Sequence, residues 1–122
     1  MGDMRLGAVE ARFAGIIWDN APMSTGDLVK LCASELNWKR TTTYTVLKRL
    51  CERGLFRMEN GVVETLISRE EFYTRQSGEY VEEAFGGSLP AFLAAFTRGK
   101  RLSAAELEEL QKLIDAHREE NQ

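Results

Sequence analysis

The sequence predicts a mainly α-helical protein with one small β-hairpin. Over most of its 122 positions, apolar residues recur at the three- and four-residue spacing of an α-helix, most clearly at 38–54. Between positions 55 and 67 apolar residues instead occur at every second position, on either side of Asn60-Gly61. Both residues of this pair tolerate the positive φ of a tight hairpin turn. This change of period predicts helices, then a hairpin, then further helices.

Two helices are predicted before position 38. Residues 6–19 carry apolar side chains at helical spacing, among them Phe13 and Ile17, and this stretch ends before the turn-forming Pro22. A second, shorter helix is predicted to run to about Glu35. Ser24 marks its start, because the serine hydroxyl can accept a hydrogen bond from an otherwise unpaired backbone N–H of the first turn. A short loop then leads to the third helix.

The third predicted helix, at 38–54, has two unlike faces. Its apolar stripe consists of Thr43, Val46, Leu47 and Leu50. The opposite face offers hydroxyl groups and cations, and its residues are Thr41, Thr42, Tyr44, Thr45, Lys48 and Arg49. Gly54 is placed to end the helix in the left-handed conformation, which glycine adopts without steric cost.

Positive charge is concentrated in this part of the chain. Positions 38–57 hold six basic residues against the single acid Glu52, whereas the whole chain carries a net charge of −3. A local excess of cations within an acidic protein indicates an anionic partner. The alternative interpretation of the helix by itself is an ordinary solvated face.

The hairpin favours an anionic partner over a merely solvated helix face. Three helices followed directly by a hairpin have the element order of a winged helix-turn-helix domain. We therefore interpret the third helix as a recognition helix for double-stranded DNA, whose major groove displays base acceptors and methyl groups between walls of phosphate. The residues predicted to face base edges are Thr41, Tyr44, Thr45 and Lys48. Those predicted to contact phosphates are Arg40, Thr42 and Arg49, with Arg57 from the hairpin.

The chain after position 67 is predicted to be a helical dimerisation domain, so that the domains are 1–67 and 68–122. Ser68 and Ser103 each begin a capping box, and Gly86-Gly87 and Gly99 interrupt the helical pattern. Such a short segment has little chance of closing its own core, so its apolar faces are expected to pair with a second copy. The alternative is that they fold back on the first domain. The predicted dimerisation residues are Tyr80, Phe85, Leu89, Phe92, Leu93, Phe96, Leu107, Leu110, Leu113 and Ile114.

Other classes of function find little support. His117 is the sole histidine, and the chain shows no metal-ligand cluster of recognisable spacing. No nucleophile–base–acid set can be assembled around His117, so we expect no cofactor, no metal and no enzymatic activity. Cys32 and Cys51 lie within apolar helical patterns and are interpreted as small buried hydrophobes. No apolar run approaches the ~20 residues that span a bilayer, so we expect a cytoplasmic protein without a membrane partner. The competing function is a winged-helix protein-interaction module that does not bind DNA.

These features resemble the penicillinase repressor (BlaI/MecI/CopY) family of winged-helix transcription regulators over nearly the whole chain. The matching features are Glu10 and Ile17-Trp18, Trp38, the run from Thr42 to Leu50 ending at Gly54, Gly87-Ser88-Leu89, Phe96, and Leu102-Ser103 with the run from Glu106 to Leu110. The resemblance implies a cytoplasmic homodimer that binds a dyad operator of the TACA…TGTA type and represses transcription. Thr42, Thr45 and Arg49 match the family's DNA-contacting helix. Its apolar dimerisation positions correspond to Leu89, Leu93, Leu107, Leu110 and Leu113.

The resemblance also implies release from DNA by an inducing signal or by a regulatory protease. The β-lactam-responsive branch is cleaved at an Asn-Phe bond, and Ala95-Phe96 occupies the corresponding position here. The copper-responsive branch carries a C-terminal cysteine cluster, whereas this chain has no cysteine after Cys51, which disfavours copper sensing by that route.

Overall fold

The computed structural model describes residues 5–121, and its elements follow the predicted order with one added strand. The helices are α1 (Ala8–Asn20), α2 (Thr25–Leu36), α3 (Arg40–Glu52), α4 (Arg69–Phe85), α5 (Leu89–Gly99) and α6 (Ala104–Glu120). The strands are β1 (Met23–Ser24), β2 (Phe56–Glu59) and β3 (Val62–Thr65). The predicted fold class is thus confirmed. Among the described residues, no helix combines the length and the apolar character needed to cross a bilayer.

The chain divides into two compact units, the first ending at Glu79 and the second beginning at Tyr80. Every element of the first unit contributes to one apolar core. Representative buried side chains, one from each element, are Phe13, Met23, Leu28, Leu47, Phe56, Val63 and Phe72. Full burial of a large apolar side chain stabilises a fold by roughly 1.5–3 kcal/mol, so this core fixes the position of α3.

Local signals in the sequence set both ends of α2. The Ser24 hydroxyl accepts a hydrogen bond from the Asp27 N–H at 3.0 Å, which caps the first turn of α2 as predicted. Asn37 ends α2 in the left-handed conformation, with φ of 57°. The ring of Trp38 then packs on that of Phe13, with centroids 5.2 Å apart, so the link between the two helices is held against α1.

The predicted turn from α3 into the hairpin is confirmed. Gly54 has φ of 86°, and the following Leu55 N–H donates to the Leu50 carbonyl at 3.1 Å, which ends the helix. At the hairpin turn Asn60 and Gly61 have φ of 53° and 74°, the positive values that a tight two-residue turn requires. The hairpin of β2 and β3 therefore follows α3 directly in sequence.

Strand β1 was not predicted. The sheet is antiparallel with the order β1-β3-β2, and Met23 of β1 pairs with Val63 of β3. The Thr25 N–H also donates to the Gly61 carbonyl at 2.9 Å. These contacts tie the hairpin to the start of α2, so the hairpin is part of the body of the first unit.

The first turn of α4 is anchored to α1. The Arg69 guanidinium donates to the Gly15 carbonyl at 3.1 Å and to the Asp19 carboxylate at 2.7 Å, and it lies over the ring of Trp18. Trp18 in turn donates its indole N–H to the Ile67 carbonyl at 3.0 Å. The start of α4 thus packs with the first unit, and the domain boundary after position 67 stays a prediction.

The second unit contains the C-terminal end of α4, from Tyr80, together with α5 and α6. The rings of Tyr80, Phe85 and Phe92 contact one another edge to face, with centroids 5.6–6.1 Å apart. At the start of α6, Ser103 and Glu106 form the predicted capping box. None of the described residues from position 80 onward is buried, so this unit lacks a core of its own within a single chain.

Candidate nucleic-acid interface

Helix α3 has the two faces that its sequence predicts. The inner face is covered by the core, where Thr43, Leu47 and Leu50 are at most 1% exposed. On the outer face, Arg40, Thr41, Thr42, Thr45, Lys48 and Arg49 are exposed, and Tyr44 is half-buried at its edge. Seven of the eight predicted DNA-contacting residues thus lie along one outer surface of α3, which we name the α3 face.

Two contacts organise the side chains of the α3 face. The Arg40 guanidinium lies over the ring of Tyr44, with 5.4 Å between its carbon and the ring centroid. The Thr45 hydroxyl donates to the Thr41 carbonyl at 2.9 Å. The donated hydrogen leaves the Thr45 oxygen as an acceptor and its methyl group as an apolar contact, two features that suit base edges in a major groove.

The charge of the α3 face is positive and its N-terminal end carries no acid. Lys39 occupies the N-cap position, Arg40 begins the helix, and no acidic residue lies in the first turn. The unpaired backbone N–H groups of a helix N-terminus attract anions, and these side chains add to that attraction. Such an end suits a phosphate group.

Arg49 is paired with an acid from another helix. Its guanidinium donates to the Glu10 carboxylate of α1 at 3.3 Å, while the Arg49 side chain stays 55% exposed. The same carboxylate accepts the Gly7 N–H at 3.2 Å and so caps α1. No local spacing relates positions 10 and 49, so the sequence did not predict this pairing.

Arg57 is the eighth predicted DNA-contacting residue and lies on β2 rather than on α3. It is exposed, but it forms ion pairs with Glu64 of β3 and with Glu59 at 3.8 Å. The hydrogen bond to Glu64 raises the pKa of the Arg57 guanidinium. A DNA phosphate would have to compete with these two carboxylates for Arg57. A contact between Arg57 and DNA therefore stays a prediction.

Both cysteines fit the small apolar role that their sequence context predicts. Cys32 is buried in the core of the first unit, and Cys51 is half-buried on α3. Burial raises the pKa of both thiols, which keeps them in the neutral and weakly reactive form.

None of the predicted dimerisation residues is buried in the single chain. Leu113, Leu89 and Leu107 are 67%, 55% and 54% exposed. A groove between α5 and α6 is lined by Phe92, Leu93, Phe96, Leu102, Leu110 and Leu113, with Glu106 and Glu109 at its edge. Apolar side chains on this scale are ordinarily covered in a native protein.

Comparison with known proteins finds a matching family and two similar proteins. The family model described as penicillinase repressor matches residues 6–116 of the chain. The chain is 23% identical over 107 residues to the penicillinase repressor of Bacillus licheniformis, covering 84% of each protein. It is 20% identical over 114 residues to the methicillin resistance regulatory protein MecI of Staphylococcus aureus (strain Mu50), covering 90% of this chain and 93% of that protein.

Proposed function

The chain belongs to the penicillinase repressor family, and we propose that it is a homodimeric transcriptional repressor that binds a dyad DNA operator through the α3 face. The observation that carries this proposal is the contrast between the two sides of α3. One side is packed into the core, whereas the other presents cations, hydroxyls and methyl groups without an acid at its N-terminal end. That chemistry matches a DNA major groove and its phosphate walls.

The second unit supports the homodimer. The apolar side chains of α5 and α6 are not buried in a core of the single chain. Covering them with the same surface of a second copy would stabilise the dimer by about 25 cal/mol for each Å² of apolar surface removed from water. A twofold dimer also suits a dyad operator, because each protomer then places its α3 in one of the two half-sites. The competing protein-interaction module would favour an apolar or acidic outer face on α3, and this face is basic and rich in hydroxyls.

Release of the operator is proposed to follow an inducing signal or proteolysis. Ala95-Phe96 lies within α5, so a protease would need the helix to open locally before the bond could enter an active site. Loss of α6 by such a cut would remove Leu107, Leu110 and Leu113 from the proposed dimer surface. The two proposed α3 faces would then bind their half-sites independently and weakly.

The test measures fluorescence anisotropy with two labelled duplexes, one carrying the TACA…TGTA dyad and one with the same bases scrambled, at several salt concentrations. We expect two chains per dyad duplex, a steep fall in affinity with salt, and a specificity ratio above ~10³. In parallel, bound duplexes are selected from a randomised pool, which detects an operator of different sequence. Failure to enrich any sequence, together with equal weak binding to both duplexes, would overturn the proposal.

A further inference from the structure

The ion pair between Glu10 and Arg49 joins two helices of the first unit at the edge of the α3 face. Arg49 donates one guanidinium N–H to Glu10, at 3.3 Å. A guanidinium carries five N–H donors in a planar fork, so a hydrogen bond from one of them to a carboxylate restricts the directions in which the others can point. The Arg49 side chain remains 55% exposed, so these donors are accessible from outside.

Glu10 is itself held in place, which distinguishes this contact from a loose surface ion pair. Its side chain is only 24% exposed, and one oxygen accepts the Gly7 N–H at 3.2 Å while the other accepts from Arg49. Because the Glu10 carboxylate accepts two hydrogen bonds, it has little freedom to move with the Arg49 guanidinium. The direction of the Arg49 fork is therefore set by α1 and not by α3 alone.

We infer that Glu10 is a positioning residue for operator recognition, which acts through Arg49. It aims the remaining Arg49 donors at the phosphate met when α3 lies in register on the operator. On other DNA, where no phosphate lies at that position, Glu10 neutralises the Arg49 charge. The guanidinium would then have to break its ion pair with Glu10 before it could reach a phosphate. Glu10 thus lowers affinity for non-operator DNA more than for the operator. This inference rests on the proposed function and deepens it.

The change in the specificity ratio distinguishes positioning from simple repulsion. A carboxylate that merely repels DNA lowers its affinity for every sequence by a similar factor. A carboxylate that orients an arginine favours the one geometry in which both groups are satisfied. The quantity to measure is therefore the specificity ratio, and not affinity alone.

The experiment uses the full chain and the operator and scrambled duplexes described above. E10Q removes the charge but keeps an oxygen for the Gly7 N–H, so the cap of α1 is retained. R49Q removes the proposed target, and the E10Q/R49Q double variant completes a thermodynamic cycle. E71Q is the matched control, because Glu71 also pairs with an arginine, Arg75, at 2.7 Å, but does so within α4.

We expect E10Q to raise affinity for the scrambled duplex by a factor of about three without raising operator affinity, so that the specificity ratio falls by at least that factor. In the R49Q background E10Q should leave the ratio unchanged, and E71Q should leave it at the wild-type value. Circular dichroism and the melting temperature of each variant establish that it is folded.

Three results would overturn the inference while leaving the proposed function intact. They are an equal rise in affinity for both duplexes, no change in either affinity, and a change in ratio that persists without Arg49. By contrast, wild-type protein that selects no operator from the randomised pool would overturn the proposed function and this inference together.

Discussion

Arg40 and Tyr44 form a stacked pair on the outer surface of α3, with the guanidinium carbon 5.4 Å from the ring centroid. Tyr44 is half-buried, so its ring is a fixed platform for the exposed Arg40 side chain. The pair therefore orients a cation at the N-terminal end of the proposed recognition helix. We propose that the pair contributes to DNA binding by ordering the Arg40 side chain before the operator binds.

Replacement of Tyr44 by leucine should weaken operator binding about two- to fivefold, since a cation–π contact at an exposed site contributes about 0.5–1 kcal/mol. Leucine keeps the apolar contact of Tyr44 with the protein but removes the ring face. Y44F keeps the ring and should bind nearly as the wild type does. If Y44F loses as much affinity as Y44L in the anisotropy assay, the hydroxyl and not the stacked ring is what the operator requires.

Replacement of Lys48 by alanine tests the proposed base contacts. Lys48 is exposed on the α3 face, and removing a base contact at this position should cost roughly 1–3 kcal/mol at one operator position. The measurement compares K48A and wild type on a set of duplexes that each carry one substituted base pair. K112A is the control, because it removes the same charge from α6 of the second unit.

A uniform loss of K48A affinity on every duplex of the set would reassign Lys48 to a phosphate. The slope of log affinity against log salt should then fall by about one unit. Unchanged affinity and selectivity would remove Lys48 from the interface altogether.

The sequence predicted the proposed DNA-facing side of the fold well because its signals are local. The apolar stripe through Leu47 and Leu50, the stop at Gly54 and the turn at Asn60-Gly61 each depend on neighbours within a few positions. Helical period, a left-handed glycine and a two-residue turn are all set by such short-range sterics. Their order along the chain was sufficient to place a hairpin directly after α3.

Most of the features that the sequence did not predict join distant positions. Strand β1 has only two residues, too few to show the alternation of apolar and polar residues that predicts a strand. It forms because Met23 pairs with Val63 of β3. The anchoring of α4 by Arg69 and the pairing of Glu10 with Arg49 depend on how helices pack, which no local spacing encodes. The ion pairs of Arg57 are a different case, because the predicted two-residue turn at Asn60-Gly61 already sets Arg57 opposite Glu64. Followed outward from the turn, that register would have predicted the side-chain pair of Arg57 with Glu64.

Leu113 offers a test of the proposed dimer with little risk to the fold. It is 67% exposed in the single chain, so L113N should cost the isolated protomer little, whereas it should weaken a dimer that buries this side chain. Sedimentation equilibrium should show a dissociation constant raised at least tenfold, because burying a leucine side chain contributes roughly 1.5–3 kcal/mol. Q111N introduces the same residue two positions away in α6 and serves as the control. An unchanged dimer in L113N, or an equal loss in Q111N, would place the interface elsewhere.

The capping box of α6 predicts a pH dependence that one carboxylate controls. Glu106 accepts the backbone N–H of Ser103, and this bond, with the Ser103 side chain and the charge of Lys100, lowers the pKa of Glu106 below its ordinary value of 4.5. A carboxylate whose pKa is lower in the folded protein stabilises the fold at pH values above 4.5. That contribution is lost as the pH falls from 4.5 through the lower folded value. Helix α6 should therefore become less stable on acidification over that window.

The measurement is helix content by circular dichroism during urea unfolding, repeated from pH 7 to pH 3. The wild type should exceed E106Q in stability at neutral pH, and the difference should vanish at the acidic end, where a protonated Glu106 resembles glutamine. E108Q is the control, since it changes the same charge outside the capping box. If E106Q and E108Q show the same pH dependence, the effect reflects net charge on α6 and not the bond to Ser103. A difference confined to E106Q would instead establish that the first turn of α6, and with it the proposed dimer surface, responds to acid through this single carboxylate.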